Sequence, residues 1–148
     1  MREATLVFPI RNSSVLLGLK KRGFAEGLWN GFGGKIKSET VEQAAVREVH
    51  EECGLLIEPS SLEPCGVLDF SLPDLELRVH IFRAKRFSGE VIESEEMKPQ
   101  WYRFEDIPYD QMWEDDWHWL PYALAGRTVS GRFVYEGSRI VSIDLHIR

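Results

Sequence analysis

Glu48, Glu51 and Glu52 stand three and four residues apart in a stretch rich in helix formers. At about 100° per residue they share one arc of a helix. Like charges at that spacing destabilise a bare helix by roughly 0.2–0.5 kcal/mol per pair. A hard divalent cation reverses that cost. Magnesium takes a few carboxylate oxygens and completes its shell with water and substrate phosphate. The chemistry on offer is metal-assisted attack on a phosphate chain. A solvated acidic helix face is the plainer alternative for such a run.

The surrounding residues supply the helix. Thr40 followed by Gln43 reads as a capping box, and Gly54 as the residue just past the C-terminus. Val41, Ala45, Val49 and Cys53 form an apolar stripe suited to packing on a sheet. A glycine-punctuated loop over residues 23–34 leads into the helix. Alternation predicts strands over 5–10 and 15–20, joined as a hairpin by the turn Arg11-Asn12-Ser13-Ser14. A second pair is expected over 65–70 and 76–86, broken at Leu72-Pro73-Asp74. A strand over 100–104 ends at Ile107-Pro108. A short helix over 115–125 needs Pro121 early, or kinked around it. A closing hairpin over 132–135 and 140–146 turns at Gly137. Strands interleaved with two helices imply a mixed-sheet α/β domain.

The 148 residues, 43% hydrophobic, suffice for one sizeable core and not two, so one domain over 1–148 is expected. A net charge of −6 without a basic tract argues against binding nucleic acid duplexes. A nucleotide remains compatible, because bound cations offset phosphate charge. Cys53 and Cys65 lack metal-ligand spacing and read as free thiols in a reducing compartment. The N-terminus has no signal-peptide pattern and no run reaches membrane-spanning length, so a cytoplasmic protein is expected. His50, His80, His118 and His146 are scattered and make no metal spacing.

Residues 33–55 carry Gly33, five residues, Glu39, seven residues, then Arg47-Glu48-Val49-His50-Glu51-Glu52-Cys53-Gly54-Leu55. This resembles the Nudix box, G-x5-E-x7-R-E-U-x-E-E-x-G-U with U aliphatic, at every fixed position. The resemblance implies the Nudix fold: a mixed β-sheet sandwiched between helices, the box forming a loop-helix-loop. It implies a magnesium-dependent hydrolase, with manganese as the other candidate ion. Within that family the chain is most similar to the MutT homologues that act as 8-oxo-dGTP diphosphatases. The likeness runs through Gly18–Phe24, Gly27–Lys35, Glu93–Met97, Trp113–Trp119 and the closing hairpin. It implies hydrolysis of oxidised purine nucleoside triphosphates, such as 8-oxo-dGTP or 2-hydroxy-dATP, to the monophosphate and pyrophosphate. Other Nudix substrates are the alternative: a dinucleoside polyphosphate, a nucleotide sugar or a capped RNA end. A silent nucleotide-binding module is the third reading, and the intact glutamate set argues against it. The expected partner is a small nucleotide, bound by a monomer.

By the same resemblance, metal ligands fall on the Gly33 carbonyl, Glu48, Glu51, Glu52 and Glu96. The nucleotide pocket falls on Thr5, Lys20, Phe24, Asn30, Trp113, Asp115 and Asp116. Asn30 carries a donor and an acceptor for a purine edge. Phe24 and Trp113 offer faces for stacking. Lys20 can reach phosphate or sugar. Trp117 and Trp119 are read as packing residues. Arg47 is expected to orient a box glutamate and Glu39 to tie the loop to the helix. The attacking water's base falls on Glu52 or Glu51, unless metal-bound hydroxide suffices. Asp115-Asp116 has two readings: a helix cap, or a pair in which one pKa rises and a proton is exchanged to suit different bases. One departure stands out. Glu39 follows Gly33-Gly34-Lys35 one residue sooner than in the close relatives, so the loop must be tighter. The pocket wall is expected to include Leu68 and Leu77.

Overall fold

A computed structural model describes residues 1–148. β1 (Arg2–Arg11) and β2 (Ser14–Lys20) are joined by a tight turn in which Asn12 takes a φ of 56°. They do not continue as the expected hairpin. Only Ile10↔Val15 and Arg11↔Ser14 pair before the strands splay. β2 then pairs with β3 (Trp29–Asn30) on that side and with β6 (Met97–Arg103) on the other. β1 pairs in parallel with β5 (Leu75–Ala84), which forms a hairpin with β4 (Leu62–Leu72). β4 pairs in parallel with β7 (Val129–Glu136), and β7 turns at Gly137 into β8 (Arg139–Ile147). The sheet order is β3-β2-β1-β5-β4-β7-β8, with β6 on the outer side of β2. The sheet is mixed.

The wedge between the splayed β1 and β2 is filled by the glycine loop. Val7 and Phe32 exchange both backbone hydrogen bonds, at 2.7 and 2.9 Å, and Thr5 N–H donates to the Gly34 carbonyl at 2.9 Å. A hairpin-sized turn was legible in the sequence. The replacement of β2 by a distant loop along most of β1 was not.

Strand alternation sends side chains to two separate cores. Val7, Leu16 and Phe82 point to one face, where Ala45, Val49 and Cys53 of α1 (Val41–Cys53) pack. Phe8, Leu17 and Ile81 point to the other, where Trp119, Leu120 and Ala123 of α2 (Asp116–Leu124) pack. Both sheet faces are therefore covered, and strands buried on both sides read as near-continuous apolar runs. Thr40 and Gln43 form the reciprocal capping box, and Gly54 ends α1 in the left-handed region at φ 82°. Pro121 lies inside α2, at its sixth residue, not at the start. The donor it removes would serve the turn beginning at Trp117, whose side chain is exposed. Cys53 and Cys65 are free and buried. No helix is long and apolar enough to cross a membrane.

Candidate active site

A cavity of about 250 Å³ opens where β1, β2, the glycine loop, α1 and the start of α2 meet. Thr5 of β1, Lys20 of β2 and Asn30 of β3 line it, with Phe24 from the loop. Gly33 and Glu52 also line it. So do Trp113, Asp115 and Asp116. Leu77 is in the wall, but Leu68 is turned into the core on the α2 face. Arg47, Glu48, Glu51 and Glu96 do not border the cavity.

The glycine loop brings backbone against both the sheet and α1. A Cβ on Gly33 would sit 1.8 Å from the Thr5 carbonyl oxygen, and one on Gly34 would sit 2.6 Å from the Glu48 carboxyl carbon. At Gly33 the obstacle is backbone and excludes a side chain, whereas at Gly34 it is the movable end of the Glu48 side chain. Gly33 N–H donates to Glu52 Oε1 at 2.9 Å. The Gly34 carbonyl is occupied by Thr5, whereas the Gly33 carbonyl accepts no hydrogen bond within the chain.

Glu52 is buried, and desolvation pushes its carboxyl up to about 8. Gly33 N–H and Lys20 oppose that rise, while Glu48 and Glu96 add to it by like charge. Glu48, Glu52 and Glu96 thus share one electrostatic neighbourhood. Glu51 is 56% exposed on the outer side of α1. Three acidic side chains do not converge at metal-coordinating distance. Each outer carboxylate is instead held by a cation of the chain. Arg47 reaches Glu48 at 2.9 Å and Glu51 at 3.4 Å. It also holds Glu39 through two hydrogen bonds, at 2.6 and 3.0 Å, and the Lys35 carbonyl at 3.3 Å. Glu39 in turn accepts Lys37 N–H at 3.1 Å. The Arg47 hydrogen bond, helped by Lys37, lowers the Glu39 carboxyl to about 2 despite partial desolvation. Lys20 binds Glu96 at 2.9 Å, and Arg22 binds it at 3.1 Å. These bonds, Lys20's first, hold the Glu96 carboxyl below its ordinary value.

The remaining wall is aromatic and acidic. The Phe24 and Trp113 rings tilt against each other with centroids 5.6 Å apart, too close for a base to lie between them. A base can stack on one exposed face only. Asn30 already accepts Gly31 N–H through Oδ1 at 2.8 Å, which leaves its NH2 group without a partner in the chain. Asp115 sits at the N-terminus of α2, yet its side chain makes no capping hydrogen bond. Its Oδ2 accepts Trp119 Nε1–H at 2.8 Å, and its Oδ1 accepts the Tyr135 hydroxyl. Asp116 is fully buried, and its Oδ2 has no partner. Desolvation raises both carboxyls, Asp116 far more, because the Asp115 charge adds to burial there. The cap reading of the pair is therefore set aside.

Trp119 and Tyr135 were not among the residues singled out for the site. Trp119 packs edge-on against Phe8, which is the packing role read from the sequence, and it also spends its indole N–H on Asp115. Tyr135 alternates with Phe133 on the inner face of β7. A buried tyrosine needs a partner for its hydroxyl, and that requirement was the available signal. Trp117 is exposed.

The fold places a glycine loop and a glutamate-bearing helix together at one cavity. The NUDIX domain matches residues 1–123, and the chain belongs to the Nudix family. Enzymes of this family use divalent metal ions. The chain is 46% identical over 140 residues to the oxidized purine nucleoside triphosphate hydrolase of Danio rerio, covering 93% of this chain and 88% of that one. It is 43% identical over 136 residues to the protein of the same name from Mus musculus, covering 89% and 85%. Its fold is similar to that of the mutator MutT protein from Bacillus halodurans, with a TM-score of 0.85 at 25% identity over 98% of this chain and 97% of that one.

Proposed function

We propose that this enzyme hydrolyses purine nucleoside triphosphates, with a preference for oxidised bases, to the monophosphate and pyrophosphate. The carrying observation is that one cavity joins two chemistries. The Gly33–Gly34 backbone and Glu52 share its wall with Trp113, Asn30 and the Asp115–Asp116 pair. A nucleotide has the matching parts, a phosphate chain at one end and a flat polar-edged base at the other. The relatives from Danio rerio and Mus musculus, named for this substrate class, support the same reading.

The donor set fits a hard divalent ion. Carboxylate and carbonyl oxygens suit magnesium or manganese. Glu52 is a buried carboxyl with no cation at hydrogen-bond distance, and the Gly33 carbonyl beside it is unspent. Gly33, Glu48, Glu51, Glu52 and Glu96 would hold the metal. When bound, the metal supplies charge neutralisation on the phosphates and acidifies water. Arg47 holds Glu48 and Glu51 through its guanidinium, and a metal would compete with it for them. Lys20 lines the cavity as a point charge for a phosphate or the sugar region, and substrate would compete with Glu96 for it. Trp113 holds the base by its face. Asn30 and the aspartates address its edge.

A substrate panel with product separation tests this reading. Incubation with magnesium should convert 8-oxo-dGTP or 2-hydroxy-dATP faster than any pyrimidine triphosphate, releasing pyrophosphate. Release of orthophosphate, or preference for a nucleotide sugar or dinucleoside polyphosphate, would overturn it.

A further inference from the structure

We propose that Tyr135 is a positioning residue that sets base selectivity: it locks Asp115 as the acceptor of the aspartate pair and leaves Asp116 to present a donor to the base. The inference rests on the purine reading of the cavity. The hydrogen bonds leave little freedom. Trp119 Nε1–H can only donate, and it points at Asp115 Oδ2, 2.8 Å away. The Tyr135 oxygen accepts Asp115 N–H at 3.0 Å, which aims its single proton at Asp115 Oδ1. Both Asp115 oxygens therefore face donor hydrogens. Two donated hydrogen bonds favour the ionised form of Asp115, and a proton on either oxygen would weaken the bond it accepts.

The proton that two adjacent buried carboxyls must share is thus steered to Asp116. Its Oδ2 is buried, borders the cavity through its residue, and meets no donor or acceptor of the chain. A carboxylic O–H there stays unspent until an acceptor on a ligand reaches it. The titratable groups around the pair are Tyr109, His118 and Tyr135, with Lys20 and Glu52 also lining the cavity.

This asymmetry bears on which base is chosen. The pairing edge of 8-oxoguanine runs acceptor, donor, donor from its 6-oxygen. The edge of 2-hydroxyadenine in its keto form runs donor, donor, acceptor from its 6-amino group. A pair with a fixed proton suits one order. A pair free to exchange the proton suits both. Tyr135 belongs to β7, and Asp115 to the start of α2, so selectivity is set by how β7 seats against that helix.

The test uses full-length enzyme with magnesium, 8-oxo-dGTP and 2-hydroxy-dATP. Tyr135→Phe keeps the ring that packs edge-on to Trp113 and removes only the hydroxyl. The ratio of kcat/KM for the two nucleotides should move toward unity by about tenfold, the lower scale for a hydrogen bond to a charged group. The acid limb of kcat/KM should also move to higher pH, because Asp115 loses a donor that favours its ionised form. An unchanged ratio and pH profile would overturn the inference. Two further variants decide the matter if Tyr135→Phe folds poorly. Asp116→Asn replaces a carboxylic donor by an amide donor, whereas Asp115→Asn removes the fixed charge. On the preferred nucleotide Asp115→Asn should lower kcat/KM at least about tenfold more than Asp116→Asn. The reverse order would overturn the assignment of roles. Wild-type enzyme inert on both nucleotides would overturn the purine reading, and this inference with it.

Discussion

Replacing Glu52 by Gln should stabilise the metal-free protein, and the gain should grow with pH. Burial lifts the Glu52 carboxyl from its ordinary value of 4.5 to about 8. In the unfolded chain it ionises near 4.5, so the folded state binds an extra proton between those values. Each pH unit in that window costs the folded protein about 1.4 kcal/mol. Stability from this group is whole below 4.5 and is lost as pH rises toward 8. The accumulated cost is under about 1 kcal/mol near pH 5, about 3 kcal/mol at pH 7 and about 5 kcal/mol above pH 8. A glutamine can still accept Gly33 N–H and carries no charge, so Glu52→Gln removes the cost. At neutral pH its melting temperature in EDTA should exceed that of wild type by roughly 6–12 °C. Urea denaturation at about pH 5, 7 and 8.5 should show the gap widening. Magnesium at a hundredfold excess over its dissociation constant returns about 2.7 kcal/mol to wild type alone and closes most of the gap. Hydrolysis by the variant should be lost. A folded variant no more stable than wild type at the highest pH would refute the account of Glu52 as a carboxyl buried for want of a cation.

Glu39 should behave in the opposite sense. Its carboxyl is held near 2 by Arg47, so its contribution is present above 4.5 and fades as pH falls, and Glu39→Gln should flatten the acid-unfolding curve in that window. Gly34→Ala should displace the movable Glu48 carboxylate and depress turnover with little change in melting. Gly33→Ala, which meets the Thr5 backbone, should destabilise the fold by about 1–3 kcal/mol or more, read by urea denaturation. Trp113→Ala should raise KM for purine nucleotides by roughly 5- to 150-fold, the scale of about 1–3 kcal/mol for one stacked base, with kcat largely kept.

What was legible in the sequence was mostly local. The Thr40–Gln43 box, Gly54 and the apolar stripe fixed α1 because each depends on residues within one or two turns. Strand alternation and the Pro73-Asp74 break marked β4 and β5 for the same reason. The glutamates and the aspartate pair were named because their spacing matches a known pattern. Non-local pairings were out of reach. Nothing within ten residues of Val7 announces Phe32 as its partner, and periodicity carries no information about which edge a strand receives. Charge pairing was equally hidden. That Lys20 and Arg22 close on Glu96 depends on β2 lying beside β6. The ligation of Asp115 by Tyr135 joins residues twenty apart that only the β7 register brings together.

The glycine loop has a dynamic consequence. Beyond Asn30 of β3, which pairs with β2, it crosses to β1 and bonds there through Phe32, Gly34 and Lys35. Apart from the two residue pairs beside the turn, this crossing is what laces the β6-β2-β3 strands to the β1-β5-β4-β7-β8 strands. Detaching it would part the sheet along its middle. Local opening here should therefore demand a free energy close to that of global unfolding, and the amides of Thr5, Val7 and Phe32 should be among the last to exchange with deuterated solvent. Segment 23–27, where Gly23, Ala25 and Gly27 hold positive φ and Phe24 stands in solvent, carries no such obligation. The backbone that would face the phosphate chain is thus as slow as the fold itself, and adaptation to ligand falls to the side of the cavity where Phe24 sits.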